Sequence, residues 1–93
     1  VSGLFHVLNL TYLQPDDVVD ATRPAHLAWL TEEVAAGRIL LAGRTQTRGA
    51  VLITGDMSAE EADALAAADP YTQAGVARYD RVSVNAGFRA PGL

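Results

Sequence analysis

An α+β fold with the element order β-α-β-β-α-β follows from three features of the sequence. Bulky residues fill nearly every position of 5–12, as in a central strand. Two apolar blocks, 38–43 and 50–54, are separated by a connection short enough for a hairpin. One stretch before those blocks and one after them carry apolar residues at helical spacing between recognisable caps.

Within the first strand, His6, Leu8, Leu10 and Tyr12 share one face, and Phe5, Val7, Asn9 and Thr11 the other. Both faces are expected to be covered. Asn9 and Thr11 then line a polar cavity, or are partly exposed or packed at a wet interface, and His6 is read as structural. Gln14-Pro15-Asp16-Asp17 breaks the strand, with Asp16 or Asp17 capping a short turn through Val18 and Val19. Thr22 is the expected N-cap of the main helix, Pro24 lies in its first turn, and the helix runs to Ala36 before Gly37 ends it in the left-handed conformation. On that helix Leu27, Leu30 and Val34 make an apolar stripe. His26 lies on its flank with Trp29 three residues on and Glu33 seven residues on, which predicts an imidazole half buried under an indole and near a carboxylate.

The connection 44–49 closes the hairpin, with Gly49 available for a bulge or positive φ. Ser58-Ala59-Glu60-Glu61 is a capping box that starts the second helix, whose inner face runs through Ala62, Leu65 and Ala66 to Asp69. An aspartate there either caps the turn Pro70-Tyr71-Thr72-Gln73, or does so with one oxygen and offers the other to an imidazole or ligand. Gly75 ends that turn, and 76–84 reads as a fourth strand with a charged, exposed edge or face. Residues 85–93 form a tail expected to order only against a partner chain.

The 93 residues suit one domain spanning 1–93, and a chain this short gains efficiently by burying surface against a second copy. Seven arginines, no lysine, no basic run and a net charge of −4 set nucleic acid aside as a partner. No apolar run reaches the length of a membrane span and no leader pattern is evident, so a cytoplasmic location without membrane contact is expected. Without cysteine there is no disulfide, thiolate nucleophile or cysteine-bound metal, and two separated histidines supply a metal or haem poorly. The expected chemistry needs neither metal nor cofactor.

Histidine is the side chain that ordinarily titrates near neutrality, so His26 is either a packed boundary residue or an acid–base group. Arg23 is a solvated first-turn charge or, because the positive end of a helix disfavours it, the partner of an anion. Tyr71 belongs to the core or donates its hydroxyl at a pocket rim. Gly43 is a strand-end glycine or permits close approach of a ligand.

Four blocks, Arg23-Pro24-Ala25-His26-Leu27, then Gly37-Arg38-Ile39-Leu40-Leu41-Ala42-Gly43, then Ala68-Asp69-Pro70-Tyr71 and Gly75-Val76, resemble the YCII-related (YciI-like) family in order and across most of the chain. The resemblance implies a dimeric, ferredoxin-like α+β barrel in which two sheets pack face to face. It also implies a paired histidine and aspartate in a cleft, at His26 and Asp69, with Arg23 and Tyr71 beside them and Gly43 in a strand-end motif. The chain departs from the pattern at Gly43-Arg44, where members often have Gly-Pro, and at the loosely matching Ala86-Gly87-Phe88. The family is similar in fold to muconolactone-isomerase-like proteins, and one branch is associated with dehydrochlorination of an aromatic ring compound.

The combined expectation is a homodimeric, cofactor-independent acid–base enzyme, an isomerase, lyase or dehydrohalogenase, acting on a small anionic or enolisable molecule. His26 moves the proton and Asp69 orients it. Arg23 holds a carboxylate or enolate, Tyr71 donates a hydrogen bond, and Gly43 and Trp29 contact the ligand. The alternative is a non-catalytic dimeric module that binds a metabolite or partner in the same pocket.

Overall fold

The computed structural model describes residues 3–93, and its elements follow in the order β1 (Leu4–Tyr12), α1 (Asp16–Ala35), β2 (Ile39–Arg44), β3 (Gly49–Thr54), α2 (Ala59–Ala68), α3 (Pro70–Gln73) and β4 (Ala77–Asn85). The strands form one antiparallel sheet in the order β2-β3-β1-β4. This is the split β-α-β arrangement of a ferredoxin-like α+β fold, with α3 added as a single turn after α2. The long strands β1 and β4 pair from Leu4 opposite Asn85 to Tyr12 opposite Ala77.

The helices cover one face of the sheet. His6, Leu8 and Leu10 of β1 are buried beneath them, whereas Phe5, Val7 and Thr11 are half-buried and Asn9 is exposed on the other side. The expectation of a strand covered on both faces therefore fails within one chain. Cross-strand pairing adds Val51 and Ile53 of β3, Leu41 of β2 and Val82 and Val84 of β4 to that open face. Leu41 is 55% and Val82 62% exposed.

Beneath the helices the core divides in two. Leu8, Ile39, Leu52, Met57, Ala62, Leu65 and Ala66 pack together, and Leu10, Val19, Tyr71, Val76 and Ala77 form the second cluster. His6 belongs to the framework, as expected: its ring meets Ser83 Oγ at 2.9 Å and the Met57 carbonyl at 2.8 Å. The Ser58–Glu61 capping box is present at the start of α2.

Helix α1 corrects the sequence reading in two ways. It is continuous from Asp16, so Thr22 is not its cap and Arg23 and Pro24 lie well inside it rather than in the first turn. Burial of Val19 against Leu10 and Tyr71 holds the early turns in place, and Asp16 and Asp17 suit the positive end of the helix. Pro24 forfeits one helical N–H that the packing offsets. The buried face runs through Val19, His26 and the partly buried Thr22, Arg23, Leu30 and Glu33, while Leu27 and Val34 are each 44% exposed. Thus the inward stripe centres on His26 itself.

At the helix end Gly37 has φ 76°, and the Gly37 and Arg38 amides bond back to the Val34 and Glu33 carbonyls in a Schellman motif. Gly75 ends α3 in the same way, with φ 71°. Gly49, by contrast, lies in β3 without positive φ, and the register shift of the hairpin falls between Ile39 and Leu41.

Candidate functional site

Asp69 closes α2 and opens α3. Its extended backbone lets Oδ1 accept the Tyr71 amide at 2.9 Å, with Pro70 at the position that has no N–H to satisfy. The same oxygen meets His26 Nδ1 at 2.8 Å, and Oδ2 accepts the Tyr79 hydroxyl at 2.5 Å. Asp69 is wholly buried and His26 is 8% exposed. Three hydrogen bonds to a carboxylate offset the cost of sequestering it from water. An amide and a phenol can only donate here, and a carboxylate surrounded by donors assigns the Nδ1–H form to the imidazole.

Aromatic rings fix the orientation of that imidazole. The Tyr71 ring stacks on it at 4.0 Å and 8°, and Trp29 lies at 5.9 Å and 36°. Nε2 has no hydrogen-bond partner among the described residues, and the ring borders a chamber. Burial, reinforced by the bond to Asp69, pushes the Tyr79 phenol far above the ordinary tyrosine range and keeps it a donor. Burial likewise raises the Tyr71 phenol, with nearby Arg23 acting in the opposite sense.

The chamber has a volume of about 200 Å³ and lies between α1, β2, β3 and the end of β1. Leu27, Leu30, Ala42, Ala50 and Leu52 make its apolar walls, and Arg23, His26, Arg44, Tyr12 and Tyr71 supply polar groups. No carboxylate lines it among the described residues. A larger hollow of about 610 Å³ shares Tyr12, Arg23 and Arg44 with the chamber and extends over Asp16, Asp20 and the 45–48 turn. Among the described residues there is no cluster of three or more metal-ligating side chains, and no helix is long and apolar enough to cross a membrane.

The structure brings His26, Asp69 and Tyr71 into direct contact and places Arg23 and Gly43 on the chamber wall. A Cβ at Gly43 would meet no protein atom within 4 Å. Its pairing opposite Val51 directs that position to the open sheet face. Trp29 is corrected from ligand contact to support: it packs on the core cluster, does not line the chamber, and buries Nε1 without a partner. Glu33 is not the carboxylate that meets the imidazole, since it pairs with Arg38.

Three residues of the site escaped the sequence reading: Tyr79, Tyr12 and Arg44. Tyr79 had a partial signal, because alternation along β4 sets the apolar Ala77 and Tyr79 on one face, although alternation does not say which face turns inward. Arg44 had the weaker signal of its place at the end of an apolar strand.

A ferredoxin-like sheet carrying a buried His–Asp pair beside a small, basic-lined chamber defines an α+β domain with a candidate ligand site. The YCII-related domain family matches residues 5–84, and the chain belongs to that family. It is 71% identical over 24 residues to a 12 kDa protein of Mycolicibacterium smegmatis, a match covering 26% of this chain and all of that sequence. Among solved structures it is similar to 5-chloro-2-hydroxyhydroquinone dehydrochlorinase (TftG) of Burkholderia phenoliruptrix AC1100, in complex with 2,5-dihydroxybenzoquinone. That match has a TM-score of 0.67 and 24% identity over 83% of this chain and 90% of the other, which establishes a shared fold.

Proposed function

We propose that the protein is a cofactor-independent acid–base enzyme that moves a proton on a small enolisable or anionic molecule in an isomerisation or elimination. The observation that carries this reading is the bond from His26 Nδ1 to Asp69 in a ring that borders the chamber and whose Nε2 has no hydrogen-bond partner among the described residues. In the proposed step Nε2 takes a proton from a substrate carbon, and the C–H electron pair passes into an adjacent carbonyl as an enolate or expels a leaving group. Asp69 stabilises the imidazolium so formed, Tyr71 donates a hydrogen bond to the developing enolate oxygen, and Arg23 holds a carboxylate of the substrate. The proton then returns to another carbon in an isomerisation, or passes to water in an elimination.

The dimeric barrel belongs to this proposal. One end of the open face of the sheet, with Phe5, Val7, Leu41, Val51, Ile53, Val82 and Val84, is an apolar patch of the kind that a second copy covers, and Asn9, Thr11, Arg78 and Asp80 make the other end polar. Two sheets packed through it would leave both helical faces, and so both chambers, outside the interface.

Turnover by the full chain tests the reading. A panel of small β-keto acids and unsaturated lactones, with 5-chloro-2-hydroxyhydroquinone added because a protein of the same fold is named for acting on it, is followed by NMR and chloride release. On any panel member that is turned over, His26→Asn should lower the rate by a factor of about 10² or more, while the dimer persists and the chain stays folded at the assay temperature despite a lower melting temperature. Full activity in His26→Asn on such a substrate contradicts the assignment. Saturable binding without turnover across the panel favours the metabolite-binding alternative.

A further inference from the structure

Arg23 on α1 and Arg44 at the end of β2 line both hollows, and neither makes an ion pair with a carboxylate among the described residues. Nearby Arg48 differs: it bonds Asp16 at 2.6 Å and the Gln14 carbonyl at 2.5 Å and lies 5.1 Å over the Tyr12 ring, so its charge is already answered. Arg44 pairs opposite Ala50, which sets it on the same sheet face as Ala42 and Leu52, the side where the chamber lies. Asp20 borders the larger hollow and weakens its attraction for anions, but it does not line the smaller chamber. Arg23 is half-buried and Arg44 exposed, and with no carboxylate lining the chamber among the described residues, an oxyanion there can take hydrogen bonds from both guanidinium groups.

We propose that Arg23 and Arg44 form an oxyanion clamp where the two hollows meet, and that Arg44 determines specificity for a ligand with a carboxylate or phosphate at one end. The other end is a compact apolar body that lies against Leu27, Leu30 and Leu52 towards His26, as a volume of about 200 Å³ allows. This deepens the acid–base reading by naming the substrate class, and it rests on that reading only for what happens at the apolar end.

Calorimetric titration of the full chain with benzoate, phenyl phosphate and benzamide at low salt tests the clamp. At least one of the two anions should bind about tenfold or more tightly than the neutral amide, and whichever binds better identifies the oxyanion. Arg44→Gln and Arg23→Gln should each weaken that anion by about tenfold or more without changing benzamide, while Arg48→Gln changes it by less than about twofold. The clamp is overturned if neither anion surpasses benzamide in the wild type, a comparison that needs no variant to fold, or if Arg44→Gln leaves anion binding intact. Arg44-dependent anion binding with no turnover removes the acid–base reading alone. Turnover of neutral substrates without anion preference removes the clamp alone.

Discussion

His26 and Asp69 stand 43 residues apart in the sequence and meet through Nδ1 and Oδ1 at 2.8 Å. Two elements make that contact: α1 turns His26 inward at the centre of its buried face, and the junction of α2 and α3 fixes the carboxylate by using it as a cap. The chemistry proposed for the site therefore shares an atom with the fold.

Asp69→Ala removes the cap of α3, the imidazole's partner and the acceptor for Tyr79 together. Its unfolding free energy in urea should fall by about 3 to 5 kcal/mol, the usual cost of breaking a buried charged network. Asp69→Asn keeps one oxygen for the Tyr71 amide and the imidazole but turns a donor towards the Tyr79 phenol, and should lose about 1 to 3 kcal/mol. Equal losses in the two variants would show that the charge, rather than the acceptors, holds the junction.

Tyr79 gives the protein an alkaline limit. Its phenol is raised above the ordinary value of 10.0, mainly by burial and then by the bond to Asp69. Its contribution is thus complete below the unfolded value and declines as pH climbs above about 10, where only the unfolded chain readily loses the proton. Tyr79→Phe should flatten the fall in stability above that pH, with Tyr71 accounting for some residual slope. An unchanged alkaline slope in chemical unfolding would remove this role.

Asp56 acts at the other end of the scale. Its carboxylate accepts the Gly3 amide at 2.7 Å and the Leu4 amide at 3.0 Å, tying the start of β1 to the loop before α2. The first of these bonds is the main cause of its lowered pKa. A depressed carboxyl stabilises the fold above its unfolded value, and that contribution disappears as pH falls below about 4 through the native value. Asp56→Asn should make stability less dependent on pH in this range, and the protection of the Leu4 amide relative to its intrinsic exchange rate should no longer fall on acidification.

The open sheet face predicts an oligomeric state. Leu41→Glu and Val82→Glu place charges on opposite strands of that face, and each should shift the protein from dimer to monomer in light scattering while the His26–Asp69 contact survives. A wild type that is monomeric at every concentration tested would remove the dimer.

The sequence made the order of elements legible because its signals there are local: a capping box at Ser58, a left-handed glycine at 37, and an unbroken run of bulky residues along β1. It also singled out His26 and Asp69, since an aspartate on the inner face of α2 and a histidine near an apolar stripe are each unexpected. The start of α1 was misread because Thr22-Arg23-Pro24 has the chemistry of a helix start, and burial of Val19 overrides that local preference. Trp29 was misplaced because helical spacing gives angular position but not which neighbour fills the space. Tyr79 was missed because the charges of β4 suggested an exposed strand, and only the sheet order, with β4 beside β1, brings its inner residues under α2 and α3.

The most direct test of the account is ¹⁵N NMR of the His26 ring in the folded protein at neutral pH, with Asp69→Asn measured alongside. The account predicts a proton on Nδ1 and an unprotonated Nε2 in the neutral ring, with the Nδ1 proton strongly deshielded in the wild type and less so in Asp69→Asn. A neutral ring that carries its proton on Nε2, or a Nδ1 signal indifferent to Asp69→Asn, would contradict it.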